Sequence, residues 1–434
     1  MLPDRPSLEH LRKQAKALQR ERGTALSQAQ QELARDYGFD SWPRLVHHVR
    51  AAGLEGIEQA LSLADPAKLE AILESDPGAV TSEVAGLQPL LYLLRNSTGT
   101  GSDIRTCTRL LLDAGADPNA HTVEDGHGHA WEFFALRSAV DRNDVELARM
   151  LIEAGAKRDQ DAMYHACERS NNAMLDVLWE PGLEYMVGHK LDFEDVPGLQ
   201  WFLDHGVDVN KDLCLHHAIA RGRSLTILNM LLDAGADVNV PWDRWDVGRR
   251  PLALAARSGH LAAYELLLEH GATAELDPVD EAVLAVARGE SVQLPKAPPP
   301  ALGNPEGDDY GWILGQFALL DRDDVVKALL DSGMHVDTRA WSNFTPLDQA
   351  AMHGRTRTVK LLIERGADLT DCAFNEEGPT PLDCAIWGLR NNRALDGDYV
   401  GTVEALAAAG APTRHQPPSP DPKVDEVLRR HGIW

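Results

Sequence analysis

The chain has 434 residues, 44% of them hydrophobic and 25% charged, the content of an ordinary folded protein with a large core. Its 42 Lys and Arg stand against 67 Asp and Glu, and the net charge of −25 repels phosphate backbones and anionic membranes, so neither nucleic acid nor a membrane is an expected partner. No run of 18 apolar residues is present to span a bilayer.

The opening Met1-Leu2-Pro3-Asp4-Arg5-Pro6 lacks the apolar stretch of a signal peptide. The five cysteines (107, 167, 214, 372 and 384) have no metal or redox spacing. Reduced thiols in a cytoplasmic protein are the expectation.

In chain order, residues 1–52 form a first segment. Ser7 caps a helix whose Leu8, Leu11, Ala15 and Leu18 share one face, with Lys and Arg on the other. A second helix is expected over Ser27–Tyr37, and Ser41 can cap a third to about Ala52. Two roles fit. The segment covers the apolar face of the first repeat, or its basic helix docks elsewhere.

From residue 53 a phrase recurs. It reads Leu-Leu-Asp-Ala-Gly-Ala-Asp-Pro-Asn at 111–119 and Leu-Leu-Asp-Ala-Gly-Ala-Asp-Val-Asn at 231–239. Closer or weaker copies end at Gly155, Gly206, Gly271, Gly333, Gly366 and Gly410. The Leu pair belongs to a helix stripe, and the Gly stands where a left-handed cap residue is wanted. A second phrase starts helices: Thr345-Pro346-Leu347, Thr380-Pro381-Leu382 and Arg250-Pro251-Leu252, each followed by small apolar residues. Thr caps, and Pro suits the first helical position. Repetition of this kind means stacked units and a long surface rather than one cleft.

Together the phrases resemble the ankyrin repeat, carried most clearly by Thr345-Pro346-Leu347 through Gly366-Ala367-Asp368. Gly333 and Gly366 lie 33 residues apart, that repeat's period, although other intervals run from 29 to 62. The leader pattern Arg5-Pro6-Ser7-Leu8-Glu9 with Tyr37-Gly38-Phe39 and Ser41-Trp42 resembles a segment of bacterial ankyrin-repeat proteins. The resemblance implies an all-α solenoid of helix-turn-helix units with extended β-turn fingers and helical caps. Expected units are 54–84, 85–119, 132–158, 159–185, 186–210, 211–240, 248–273, 277–309, 310–338, 343–370 and 378–413 within an array over 53–413. The stretch 159–210 matches worst. Pro295–Pro305 reads as an extended loop inside the array. Residues 414–434 read as a Pro-rich tail and a capping helix.

In such arrays the fingers and first helices make a concave face. Three fingers here, 120–132, 240–250 and 339–344, are long and aromatic, although turns are usually small and polar. Trp131, Trp242, Trp245, Trp341 and Phe344 are therefore candidate contact residues, with Asp243 and Arg244 beside them. The other reading of these rings is that they stiffen neighbouring fingers. First-helix residues Arg221, Arg223, Arg257, Gln349, His353 and Arg355 are candidates for polar contacts. The leading expectation is a non-enzymatic scaffold for a basic or neutral protein partner, with no catalytic residue, metal or cofactor and an open oligomeric state. The alternative is a small-molecule binder or enzyme between the fingers, with Asp125, His127, His129, Asp243 and Arg244 as first suspects. His216-His217 occupies the slot of the family's bracing imidazole, and Cys214 near it has no orienting acid.

Overall fold

The computed structural model describes residues 7–23, 26–39, 42–126, 129–242, 248–290, 309–331, 334–339, 343–371, 373, 378–391, 393–394, 396–414 and 419–433. The chain divides into two compact units, Met1–Leu183 and Glu184–Trp434.

The first unit begins with α1 (Leu8–Arg22), α2 (Leu26–Asp36) and α3 (Trp42–Ala51). They enclose a small core of Leu11, Ala15, Leu33, Ala34, Leu45 and Val49, and α3 packs on the next helix. Helix pairs follow: α4 (Gly56–Leu63) with α5 (Pro66–Ser75), then α6 (Pro89–Asn96) with α7 (Gly101–Asp113). Strands β1 (His121–Gly126) and β2 (His129–Phe134) precede α8 (Ala135–Asp141) and α9 (Val145–Glu153), and α10 (Gln160–Cys167) pairs with α11 (Asn172–Leu178). The inner helices α4, α6, α8 and α10 stack in that order, as do α5, α7, α9 and α11 outside them.

The second unit continues with α12 (Val187–Lys190) and α13 (Val196–Asp204), α14 (Cys214–Ala220) and α15 (Leu225–Asp233), and α16 (Pro251–Arg257) and α17 (Leu261–Glu269). Then come α18 (Pro278–Ala287), α19 (Asp309–Leu319) and α20 (Asp323–Asp331), α21 (Pro346–Met352) and α22 (Thr356–Glu364), α23 (Pro381–Arg390) and α24 (Tyr399–Ala408), and α25 (Pro422–Arg430). The architecture is an all-α repeat solenoid with, among the described residues, one small two-stranded sheet.

The recurring phrases explain the local structure. Thr345 accepts the Asp348 backbone N–H while the Asp348 carboxylate takes the Thr345 N–H, and Thr380 with Asp383 repeats the box. At the other end Gly115 and Gly235 take φ of 96° and 88°. The Ala after each donates back to the helix, Ala116 to Leu111 and Ala236 to Leu231. The asparagine of the phrase does more than turn the chain. Asn119 Oδ1 accepts the Lys157 N–H at 2.9 Å and its amide donates to Gly155 O at 3.1 Å. Asn210 braces Asp237 and Gly235 in the same way, and Asn239 braces Thr273 and Gly271. Each of these three asparagines therefore ties its repeat to the next.

At the opposite ends of the helices, basic side chains bridge successive junctions. Arg142 donates to Leu94 O, Arg322 to Ala287 O and Arg355 to Leu319 O. In the second unit these junctions also meet across the stack. Gly222 lies against Leu319 and Leu320, Gly259 against the Phe317 ring, and Arg223 reaches Arg393 O at 3.2 Å. Gly222 and Gly259 have φ of 61° and 63°, and a side chain there would strike those neighbours. The 184–290 and 309–433 halves of this unit thus fold back junction to junction, where the repeat alone implied an open run of units.

Candidate functional site

The expected turn at 120–132 is a β-hairpin. Glu124 stands opposite Trp131, Thr122 opposite Phe133, Val123 opposite Glu132 and His121 opposite Phe134. Opposed residues share a face and the faces alternate. The Thr122–Phe133–Glu124–Trp131 face turns toward the inner helices. Arg95 of α6 stacks over Phe133 at 4.4 Å and pairs with Glu124 at 2.5 Å, and the Arg137 guanidinium of α8 lies 5.9 Å from the same ring. Arg137 also donates to Asp141 and Asp161. Burial by itself lowers its pKa, but those two bonds together hold it above the ordinary arginine value. Asp161 and Glu168 flank His165, and Tyr164 stacks edge-on against that imidazole.

Two aromatic side chains on this surface face solvent. Trp131 is 40% exposed and Tyr164 42%. Carboxylates outnumber guanidinium groups here, with Glu124, Glu132, Asp141, Asp161 and Glu168 against Arg95, Arg137 and Arg169. Sequence reasoning singled out Trp131 and passed over Val123, Tyr164, Arg95 and Arg137. The signal for the hairpin lay in composition: a Gly-His-Gly turn at 126–128 stands between the β-branched Thr122 and Val123 and the aromatic Trp131, Phe133 and Phe134.

The second long finger closes at its base. Trp242 N–H donates to Arg249 O at 2.7 Å, and Gly248 N–H to Trp242 O at 2.8 Å. Trp242 is half-buried and its ring sits 5.4 Å from that of His216. The buried His216 imidazole bonds Arg249 O at 3.2 Å, so it braces the neighbouring finger. Arg249 grips both oxygens of Asp280. Asp243, Arg244, Trp245, Trp341 and His127 lie outside the described residues, as do the side chains of Asp125 and His129.

Several candidates for open contact are instead enclosed. Phe344 is 6% exposed, and its ring belongs to the core with Leu347 and Ala350. Arg257, 2% exposed, pairs with Asp277 and Asp280. Arg355 holds Leu319 O and pairs with Asp396 at 3.0 Å. His353 is 2% exposed. Its Nδ1 bonds Gln349 O at 2.8 Å, leaving Nε2 to accept from Arg223 at 3.5 Å. Burial, and then Arg393 and Arg223, hold its pKa far below the usual histidine range. These side chains spend their polarity inside the chain, because the junctions that would line an open groove are packed together.

The centre of that packing is a buried polar cluster. Asp192 pairs with Arg221 at 2.6 Å and with His189 and His217 at 3.0 Å, and its backbone carbonyl accepts from Arg393. Burial opposes ionisation of Asp192, yet Arg221 and the two histidines hold it well below the usual carboxylate value. Arg393 lies beside the Phe193 and Trp387 rings at 5.3 and 5.7 Å. Burial is the main cause that lowers its pKa to about 9, with Arg223 and Arg221 adding and Asp192 opposing. Asp192, held by Arg221 and two imidazoles with Arg393 on its carbonyl, clamps these junctions together. Cys214 is inert, since burial pushes its thiol up to about 12.

A groove of about 520 Å³ lies between α7 and α9, lined by Arg105, Arg109, Asp113, Glu146 and Arg149 among others, and no hairpin residue borders it.

Known families agree with the geometry. Models described as ankyrin repeats match residues 191–280 (three copies) and 316–363 and 347–395 (many copies). Ankyrin repeats thus occupy 191–280 and 316–395 of this chain. The chain is 28% identical over 231 residues to the ankyrin repeat and KH domain-containing protein mask-1 of Caenorhabditis elegans, covering 51% of this chain and 8% of that protein. A namesake from Caenorhabditis briggsae is 28% identical over 396 residues, 82% of this chain and 14% of the relative. An ankyrin repeat protein of Rickettsia bellii is 30% identical over 124 residues, 27% of this chain and 50% of that protein. The chain thus spans only a fraction of the length of each. Ankyrin repeats are in general protein–protein interaction modules. Among the described residues no helix is long and apolar enough to cross a membrane.

Proposed function

We propose that the chain is a non-enzymatic scaffold that holds a protein partner through its long fingers, with Trp131 as the first anchor. The observation that carries this reading is an indole 40% exposed on a hairpin whose own face is already stapled to the inner helices by Arg95. A ring used only for stiffening would be covered, as Phe133 is by that guanidinium. A large aromatic on a rigid support loses little entropy on binding and suits an anchor. Tyr164 extends the contact along α10. The carboxylates around both rings favour a basic or neutral partner surface. On the second unit Trp242 supplies a finger base, and Asp243, Arg244, Trp245 and Trp341 belong to the same proposal.

Capture from lysate by the wild-type chain, Trp131→Ala and Trp242→Ala, with mass-spectrometric readout, tests it. Loss of the same captured protein in Trp131→Ala, with unchanged circular dichroism, is the expected result. Undiminished capture by both variants would sink the reading.

A further inference from the structure

The β1–β2 ribbon has unpaired outer edges. Ala135 N–H donates to Ala120 O at 2.9 Å, which sets the phase of the ladder. Bonded pairs then fall at Thr122–Phe133 and Glu124–Trp131, and the backbone groups of His121, Val123 and Asp125 point outward along β1. Among the described residues none of these groups bonds outside the hairpin, and the sheet has two strands. Neither Pro nor Lys guards the edge. Val123 in its middle is 64% exposed.

The β1 edge is complementary to itself. Antiparallel pairing of two copies about Val123 sets Val123 against Val123, position 122 (Thr) against 124 (Glu), and position 121 (His) against 125 (Asp). Every outward backbone group at 121, 123 and 125 then meets a partner, and no like charges oppose. The β2 edge fails the same test, because pairing about its centre sets Glu132 against Glu132. We propose that β1 is a self-association edge, through which two copies of this chain join their hairpins into a four-stranded antiparallel sheet about a two-fold axis. The geometry suits a second copy because each strand supplies what its twin lacks. Two strands alone are marginal in water, and four give the ribbon independent support. The joint is far smaller than the ~1,000 Å² of a stable interface, so the dimer is transient by itself. Trp131 stays on the outer strands, available to a partner.

The test is register-specific cross-linking of the full chain. Val123→Cys places two thiols on facing residues with Cα atoms about 5.5 Å apart, within disulfide reach. Glu132→Cys lies on the same face at 59% side-chain exposure, but its twin is three strand spacings away, about 14 Å. Under mild oxidation Val123→Cys should yield roughly tenfold more disulfide dimer than Glu132→Cys, a difference of ~1.4 kcal/mol in apparent association. Val123→Lys should abolish concentration-dependent sedimentation. Equal cross-linking of both cysteine variants, preferential cross-linking of Glu132→Cys, or none in either would overturn the proposal.

Discussion

The two compact units use the same repeat to opposite ends. In the first, inner helices α4 to α10 stack in sequence, and the one long finger lies along them with Trp131 and Tyr164 left in solvent. In the second, the junctions fold back on each other and bury Arg223, Arg393 and His353. The lesson is that polarity on an ankyrin helix does not identify a binding face. What matters is whether the chain itself already answers that polarity.

The largest expected effect breaks the closed unit. Arg393→Ala removes one partner of a buried charge cluster and leaves Asp192 and the neighbouring carbonyls short of donors, a cost of about 3–5 kcal/mol. Hydrogen exchange should accelerate at Cys214–Ala220 and Pro381–Arg390 while α6 to α10 keep their protection. Protection lost equally in both units would erase the contrast.

Two sets of buried groups give the closed unit opposite pH slopes. His353, His217 and His260 have pKa values lowered chiefly by burial. The unfolded chain therefore binds more protons, and the stability they supply is lost as pH falls below about 6.5. Asp348 runs the other way. Burial raises its pKa to about 7, so its native form holds the extra proton and stability falls as pH rises from about 4 to 7. Asp348→Asn keeps an oxygen for the Thr345 bonds and should remove up to ~1.4 kcal/mol per pH unit of that decline. Urea melts across this pH range give the slopes.

A smaller effect should be shared by both units. Asn119→Ala and Asn239→Ala each delete one brace between repeats, worth about 1 kcal/mol. Equal shifts in denaturation midpoint would show that the stacking device is common and only its consequences differ. The smallest stability change belongs to Trp131→Ala, within about 0.5 kcal/mol for an exposed side chain. If its removal costs substantially more, the ring is a stiffener and not an anchor.

Local structure was legible from the residues. Thr345 and Thr380 cap where their phrases place them, and Gly115 and Gly235 end helices in the left-handed region. The fold-back was not, because Arg223 and Arg393 are 170 residues apart and a repeat motif encodes only contacts between neighbours. That is why Arg257, His353 and Arg355 read as groove residues. Phe344 misled for a related reason: proximity to a finger in sequence says nothing about which way the ring turns. The division at Leu183 falls inside 159–210, where the repeat pattern was weakest.

The most direct test of the finger account is oxidative footprinting of the full chain, free and with its captured partner. Trp131 and Tyr164 should become protected, while Tyr185 and Leu268, exposed side chains of the second unit, stay reactive. Protection confined to Tyr185 or Leu268, with Trp131 as reactive as before, would contradict it.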